Sequence, residues 1–213
     1  PDDPWESMNR KIWKFNETVD RYVLSPITKG YQKITPNVVE RGVSRFFANL
    51  DNIPSAANNL LQGKPGKAGQ NIARFVFNAT FGGLGVYDFA SDIGLPISDE
   101  DLGQTLGVWG VPNGPYMVIP FIGPSTVRDT GGWAVELLIY DPLEDAINDS
   151  TVRTELLTLS IIDIRAQLGN FYSLAPSEPY SFFRDAYLQR RASQVRDGKA
   201  KEGATDDFLS DDF

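Results

Sequence analysis

The sequence predicts an all-α fold in a single domain of several amphipathic helices, with a Gly/Pro-rich irregular segment in the middle. Over most of the chain, apolar residues recur at steps of three and four, which is the spacing of one helical face. Several prolines stand where such a face begins, which is their preferred place in a helix. The spacing is lost between residues 82 and 123, where glycine and proline are frequent, and this places the irregular segment.

The first predicted helix begins at the amino terminus. Asp3 is expected to cap it, Pro4 suits its first position, and Glu6 stands three residues after the cap. Its apolar face is formed by Trp5, Met8, Ile12, Phe15 and Val19. Such a face packs against a protein core or lies in a membrane interface, and the spacing alone allows both.

Further helices are predicted on both sides of the irregular segment. Before it, four helices that begin at or beside prolines cover residues 25–34, 35–50, 54–63 and 65–81. Within it, we expect loops, a helical turn near "DEDLGQTLG" and a short hairpin. After it, helix resumes at Pro124, "PLEDAIN" forms a turn or two, a long helix covers residues 151–171, and Ser177-Glu178-Pro179 opens the last helix. The helical domain is expected to cover residues 1–192, followed by a polar, acidic and disordered tail over residues 193–213.

The composition excludes several classes of function. The formal net charge is -8, whereas a nucleic-acid surface needs clustered lysine and arginine, so no nucleic-acid partner is expected. The chain has no Cys and no His, which removes thiolate metal sites, the commonest metal ligand and the commonest general base. A Ser-His-Asp hydrolase is therefore excluded, and no metal site is predicted. No run of about 18 apolar residues is present, so we expect no ordinary membrane-crossing helix.

Three motifs allow both a functional and a structural interpretation. "SDEDLG" (residues 98–103) groups three acids, but it lacks the spacing of a calcium loop, so capping of a short helix is favoured. "GGLG" (residues 82–85) lacks the ending of a phosphate loop, so Gly82, Gly83 and Gly85 are predicted to end a helix and to pack closely. In "GPSTVRD" (residues 123–129) no base stands at a suitable spacing from Ser125, so Ser125 or Thr126 is predicted to cap a helix.

The segment "YMVIPFI" (residues 116–122) is the candidate binding surface. Its side chains are almost all apolar, yet the glycines and prolines around it do not suit a long helix or an interior strand. Seven such side chains cannot all point into a core from a loop. An exposed apolar loop marks contact with lipid or a partner, and ordinary burial is the alternative that the residues alone leave open.

Several motifs together resemble one family. "DPWESMNRKIWKFN" (residues 3–16) is similar to the opening of the MlaA family, also called VacJ-like lipoproteins. The resemblance continues through "FANLDNIPSAANNLLQGKPGKAG" and "RFVFNATFGGLGVYDFASDIGL". The most specific block is "DLGQTLGVWGVPNGPYMVIPFIGPSTVRDTGG", and "DAYLQRR" closes the match, which covers about Asp3 to Arg191.

The resemblance implies an outer-membrane lipoprotein of Gram-negative bacteria, held in the periplasmic leaflet through a lipidated Cys upstream of this chain. Such proteins form a mostly helical ring within the membrane around an amphipathic channel. They remove mislocalised phospholipid from the outer leaflet, pass it to a soluble periplasmic lipid carrier, and associate with trimeric porins. Phospholipid is then the transported ligand, no cofactor is needed, and the protein is not an enzyme. The alternative is a porin-associated scaffold that does not itself handle lipid.

The resemblance also selects candidate residues. We predict that the lipid passage is lined or gated by Tyr116, Met117, Ile119, Phe121 and Ile122. We predict that the membrane-facing side of the first helix consists of Trp5, Met8, Ile12 and Phe15. The glycines Gly82, Gly83 and Gly85 become candidates for close packing around the channel.

Overall fold

Ten α-helices, one π-helical segment and one β-hairpin form the described part of the chain, which comprises residues 3–140, 148–168 and 178–197 of the computed structural model. The elements up to the glycine turn are α1 (Glu6–Val19), a π-helical segment (Asp20–Leu24), α2 (Ser25–Ile34), α3 (Asn37–Leu50), α4 (Asn52–Leu61) and α5 (Pro65–Thr80). The later elements are α6 (Phe89–Asp92), α7 (Leu102–Val108), β1 (Tyr116–Ile119), β2 (Gly123–Thr126), α8 (Val127–Ile139), α9 (Ser150–Leu168) and α10 (Pro179–Val195). The predicted all-α fold in a single domain is confirmed.

The first predicted helix starts differently from the expectation, because Asp3 does not cap it. Trp5 occupies the N-cap position, and no side chain accepts a hydrogen bond from the first turn. The Asp3 carboxylate instead accepts hydrogen bonds from the Asn9 amide (2.8 Å) and from the Tyr180 hydroxyl. These partners satisfy a side chain that is only 2% exposed, whereas the first turn of α1 lies at the surface, where water can hydrate its N–H groups.

The helices α1 and α2 form one continuous helical stretch. The π-helical segment between them has helical dihedral angles on both flanks, so no break separates the two predicted helices. The stretch ends at Thr35, which is extended (φ -96°, ψ 121°). The cause is Pro36, whose ring disfavours the helical conformation at the preceding residue. The starts and ends of α3, α4 and α5 differ from the predicted ones by at most two residues.

A glycine turn ends α5. Gly83 and Gly85 have φ of +61° and +91°, a conformation that other residues rarely adopt. A Cβ on Gly82 would lie 2.1 Å from the carbonyl oxygen of Tyr87, and a Cβ on Gly85 would lie 2.7 Å from the Cβ of Asn49. A Cβ on Gly83 would meet no atom within 4 Å, so the predicted close packing at Gly83 is wrong and this glycine serves the turn alone.

The irregular segment contains the predicted helical turn and short hairpin, and also α6, which the sequence does not predict. β1 and β2 form an antiparallel hairpin in which Tyr116 pairs with Thr126 and Ile119 with Gly123. Because Pro124 lies in β2, the prediction that helix resumes there is wrong, and α8 begins at Val127. The Thr126 hydroxyl caps α8 by accepting a hydrogen bond from the Asp129 backbone N–H at 3.2 Å.

Two other predictions concern helix ends, and the structure shows both of these ends. Asp101 of "SDEDLG" caps α7 by accepting from the Gln104 backbone N–H at 2.8 Å, which confirms the structural interpretation of that motif. The last helix, α10, begins as predicted and continues to Val195, past residue 192. Residues 142–147 of "PLEDAIN", the predicted end of the long helix after Leu168, and the tail after Asp197 lie outside the described residues.

The interior of the described part is mostly polar. Nineteen polar or charged residues are buried there, against eight apolar ones, four of which are alanines on α4, α5, α6 and α9. The apolar core is a small cluster of Tyr116, Val118 and Tyr180 between the hairpin and α10. Large apolar side chains are instead exposed on the helices, for example Leu138 at 87% and Ile34 at 81%. Among the described residues, no helix combines the length and the apolar character needed to cross a membrane.

Close backbone packing brings α7 against α8. A Cβ on Gly132 of α8 would lie 2.6 Å from the backbone nitrogen of Gly103 and 3.0 Å from its Cα. The neighbouring Gly131 has open space, since a Cβ there would meet no atom within 4 Å. The two helices can therefore approach each other only while residue 132 lacks a side chain.

This difference makes the two adjacent glycines a matched test. We expect Gly132→Ala to lower the free energy of unfolding by about 1–3 kcal/mol, because the added methyl group collides with backbone. Gly131→Ala should leave it unchanged or raise it by up to about 1 kcal/mol, because alanine favours helix over glycine. Chemical denaturation of the two variants in the same detergent measures both changes, and equal effects would contradict the packing described.

Candidate functional site

Two asparagines of α1 hold the β-hairpin. Asn9 and Asn16 stand seven residues apart, which is about two helical turns and one face. The Asn9 amide donates to the Tyr116 carbonyl oxygen at 3.1 Å, and its side-chain oxygen accepts from the Val118 N–H at 3.0 Å. The Asn16 amide donates to the Ile119 carbonyl oxygen at 2.9 Å, and its oxygen accepts from the Phe121 N–H at 2.8 Å.

The two bonds to Tyr116 and Val118 pair the outer edge of β1 as a neighbouring strand would, and the two bonds to Ile119 and Phe121 hold the turn after it. An unpaired edge exposes a row of N–H and C=O groups, each of which needs a partner when it is taken out of water. Here asparagine side chains supply both the donor and the acceptor. The hairpin is thereby fixed in register along α1, and its tip is held at the level of Asn16.

The predicted passage residues divide between the core and the tip of the hairpin. Tyr116 is 1% exposed in the core cluster, so the structure does not support its prediction as a lining residue. The reason is the alternation of a strand, which turns Tyr116 inward and leaves Met117 and Ile119 half-buried on the other face. Phe121 and Ile122, at the tip, are 69% and 55% exposed.

The tip has an unusual backbone as well as an apolar surface. Phe121 has φ of +66°, a conformation that bulky residues rarely adopt. Its ring meets the ring of Phe15 on α1 edge-on, with 5.2 Å between the centroids. The Asn16 hydrogen bond to the Phe121 N–H therefore holds a backbone conformation that is unfavourable for an isolated phenylalanine.

The predicted membrane face of α1 is partly exposed. Trp5, Met8 and Phe15 are 40%, 49% and 44% exposed. Ile12 instead packs, partly buried, against the core cluster, so the structure does not support its prediction as a membrane-facing residue. The hairpin packs over the part of α1 that contains Ile12, so this residue contacts protein there.

Two cavities lie on either side of α9. The first, here called the tip cavity, has a volume of about 260 Å³ between α1, the π-helical segment, the hairpin tip and α9. Its apolar lining includes Trp13, Phe121, Ile122, Ile161, Ile164 and Leu168. An ion pair also lines it, in which Arg165 donates to both carboxylate oxygens of Asp20.

The second cavity, here called the mixed cavity, has a volume of about 570 Å³ between α3, α8 and α9. Its apolar lining includes Phe47, Leu50, Leu137, Leu157 and Ile164. Its polar lining includes Ser44, Arg45, Asp51, Ser160 and Gln167. Ile164 lines both cavities, so the two are neighbours across one side chain.

A buried charge network around Asp129 joins three helices. The Asp129 carboxylate accepts hydrogen bonds from Arg128 (2.8 Å), Tyr187 (2.8 Å) and Arg191 (3.0 Å). Arg191 also donates to both oxygens of Asp101, at 2.6 and 2.8 Å. The network links α7, α8 and α10, so the motifs "DLGQTLG", "VRDTGG" and "DAYLQRR" meet at one point.

Both carboxylates of the network are held in the ionised form. Burial opposes ionisation of Asp129, but the hydrogen bonds and the charge of Arg191, with Tyr187 and Arg128, outweigh burial and lower its pKa below the usual value. The pKa of Asp101 is lowered in the same way, against burial, by Arg191 and by the Gln104 N–H and side chain. The network is therefore structural, with charges that neutralise each other.

Sequence reasoning missed the polar networks, although one signal was present. Three pairs of asparagines stand seven residues apart, and these are Asn9 and Asn16, Asn52 and Asn59, and Asn71 and Asn78. Within α4 and α5, Asn59 donates to Asn71 at 3.1 Å, and Asn71 donates to Asn52 at 3.3 Å. Asn78 donates to Asp88 at 2.9 Å, and Asp88 also pairs with Arg74. Regular asparagine spacing on helices thus indicates a polar interior.

The fold and the site define a class of protein: a helical protein with polar networks inside, apolar side chains outside and adjoining apolar and mixed cavities. The family described as MlaA lipoprotein matches residues 1–194. The chain is 36% identical to the intermembrane phospholipid transport system lipoprotein MlaA of Haemophilus influenzae, over 98% of this chain and 86% of the relative. It is 33% identical to the protein of the same name from Escherichia coli K12, over 93% of this chain and 80% of the relative.

A solved structure is also similar to this chain. It comes from work on the structural basis for maintenance of bacterial outer membrane lipid asymmetry, and it matches with a TM-score of 0.79 and 31% identity. The match covers 92% of this chain and 100% of the other. The chain belongs to the MlaA lipoprotein family.

The asparagine clamp on the hairpin tip can be tested directly. Asn16→Ala removes both bonds to the tip, so we expect the Phe121 amide to exchange its hydrogen about tenfold faster or more, since each lost bond contributes about 0.5–1.5 kcal/mol. Hydrogen exchange with mass spectrometry measures this. Lys14→Ala, at an exposed position of the same helix, is the control and should leave the exchange unchanged.

The charge network predicts a dependence of stability on pH. The pKa values of Asp101 and Asp129 are lower in the folded chain than the unfolded value of about 3.9. Their contribution to stability is therefore present above about pH 4 and is lost as the pH falls below it. Asp129→Asn should lower the free energy of unfolding at pH 7 by about 3–5 kcal/mol, because it breaks a buried charge pair.

The same variant should also flatten the loss of stability in acid. Denaturation curves at pH 7, 5 and 3.5 provide the measurement, and Glu155→Gln at an exposed position of α9 is the control. An acid dependence of Asp129→Asn as steep as that of the unmodified chain would contradict this account.

Proposed function

We propose that this chain is the outer-membrane component of a phospholipid transport system that maintains lipid asymmetry. In this role it removes phospholipid from the outer leaflet and passes it to a soluble periplasmic carrier. The observation that supports this best is the apolar hairpin tip, exposed at the wall of an apolar cavity that adjoins a cavity with polar and charged side chains. The names of the relatives, which are lipoproteins of an intermembrane phospholipid transport system, support the same function.

The two cavities suit the two parts of a phospholipid. Acyl chains are stabilised by apolar surface, and a headgroup is stabilised by polar and charged side chains. A lipid that moves past Ile164 would keep both parts in suitable surroundings at each point. The transfer is non-covalent on this proposal, and the protein needs neither a catalytic residue nor a cofactor.

The distribution of apolar side chains supports a location in the membrane. Exposed apolar residues on α1, α2, α3 and α8 would lie among acyl chains, while the polar networks inside satisfy many of the buried donors and acceptors. We propose that the helices form a ring in the periplasmic leaflet of the outer membrane. A lipidated Cys upstream of this chain would anchor it, and a trimeric porin would be its partner there.

The alternative function is a scaffold that binds a porin without handling lipid. The exposed apolar faces of α2 and α3, with Ile34 at 81% and Val38 at 71%, would serve a protein partner as well as lipid. A photo-crosslinking residue at position 121 separates the two functions. Adducts with phospholipid support transport, whereas adducts with porin alone support the scaffold.

A charged substitution at the tip cavity tests whether lipid passes through it, with the rate of lipid transfer as the measurement. We expect Ile122→Glu to slow the transfer of labelled phospholipid from vesicles to a periplasmic carrier by about tenfold or more, because a carboxylate in the apolar passage costs at least about 1.4 kcal/mol. Ile97→Glu is the matched control, since Ile97 is 72% exposed and lies outside the tip cavity. Equal transfer by both variants would count against the hairpin tip as part of the passage.

The same assay tests the proposed absence of chemistry. Mass spectrometry of the labelled phospholipid after transfer should recover it intact. Release of fatty acid or of headgroup would overturn the non-covalent mechanism.

A further inference from the structure

The mixed cavity contains two opposite charges that are not paired with each other. Arg45 and Asp51 both belong to the α3 end of the cavity lining and are separated by six residues, or about 9 Å along a helix. Neither forms an ion pair within the described part of the chain. A third charge, Asp163, is already satisfied by hydrogen bonds from Ser44 and Gln167.

Arg45 is placed to receive an anion. Its side chain is exposed, and its guanidinium carbon lies 5.8 Å from the centre of the Tyr87 ring. The ring supports one face of the guanidinium and uses none of its N–H donors. Arginine presents these donors in a fork that matches the oxygens of a phosphate group.

Asp51 is placed to receive a cation. Its side chain lines the cavity and is exposed there. Desolvation of the carboxyl group by nearby protein atoms, together with the charge of Asp99, raises the pKa of Asp51 to about 6. A neighbouring ammonium group would stabilise its ionised form.

We propose that the mixed cavity selects zwitterionic phospholipid headgroups, with Arg45 pairing with the phosphate and Asp51 with the ammonium group. The inference rests on the proposed function and adds the headgroup class to it. A volume of about 570 Å³ lies within the range of small-molecule sites. Because Ile164 also lines the tip cavity, the acyl chains extend from the headgroup towards Phe121 and Ile122.

An anionic headgroup fits this site less well. Phosphatidylglycerol offers a phosphate to Arg45 but no cation to Asp51, which leaves that carboxylate unpaired in the occupied cavity. Phosphatidylethanolamine satisfies both residues. The site therefore discriminates by charge, and Asp51 is the residue that decides between the two lipids.

Lipid capture from vesicles of equal phosphatidylethanolamine and phosphatidylglycerol content tests the proposal. The purified full-length protein is incubated with the vesicles and re-isolated, and the bound lipids are quantified by mass spectrometry. We expect the unmodified protein to enrich phosphatidylethanolamine. Asp51→Asn should lower the ratio of the two lipids by about tenfold, which corresponds to one charge-assisted hydrogen bond.

Further variants distinguish a recognition role from a structural one. Arg45→Gln should lower the capture of both lipids, since both have the phosphate, and Arg45→Lys should restore part of it. The controls are Arg41→Gln and Glu155→Gln, two exposed residues that do not line the mixed cavity. Asp51→Glu keeps the charge and should keep the enrichment, which excludes misfolding as the cause of a changed ratio.

The outcomes separate the inference from the proposed function. If the unmodified protein captures phospholipid in the offered ratio, or if Asp51→Asn leaves an enriched ratio unchanged, headgroup selection is overturned while the transport function stands. If the unmodified protein captures no phospholipid, the transport function itself fails, and the headgroup site fails with it.

Discussion

The hydrogen bonds to the Asp129 carboxylate are the constraint on which the rest of the described structure depends. Arg128, Tyr187 and Arg191 all donate to this one side chain, and Arg191 extends the network to the cap of α7. A buried carboxylate is stable only when such partners surround it, so α7, α8 and α10 are held together by it. The start of α8 lies directly after β2, and this fixes one side of the hairpin. The asparagines of α1 fix the other side.

A polar interior determines what the exterior can be. Because polar side chains fill most of the interior, the apolar residues of the amphipathic helices have no large core to fill. They therefore form the outer surface, which is costly in water and favourable among acyl chains. The same arrangement leaves the tip cavity and the mixed cavity on the two sides of Ile164. One physical arrangement thus accounts for both the membrane location and the amphipathic passage that we propose.

The sequence predicted the fold better than the site. Helices could be placed to within about two residues before the irregular segment, because proline and the three-four spacing act locally. The errors arose where a distant partner competed with a local signal. Asp3 binds Asn9 and Tyr180 instead of capping α1, and Ile12 packs against the core cluster. Tyr116 was assigned to the passage because a strand of four residues gives too short an alternation to recognise.

The sequence by itself determined most of the helices, the capping role of "SDEDLG", the choice of Ser125 or Thr126 as the next cap, the apolar segment of residues 116–122, and the family. These depend on residues that are near each other in the chain, or on motifs whose order is preserved. Only the tertiary structure decided which apolar residues face outward, how the asparagines bind the hairpin, and that Arg45 and Asp51 share a cavity. The physical reason is that a hydrogen bond or an ion pair is set by distance in space. Asn16 and Phe121 are 105 residues apart in the chain, and no local pattern indicates that they meet.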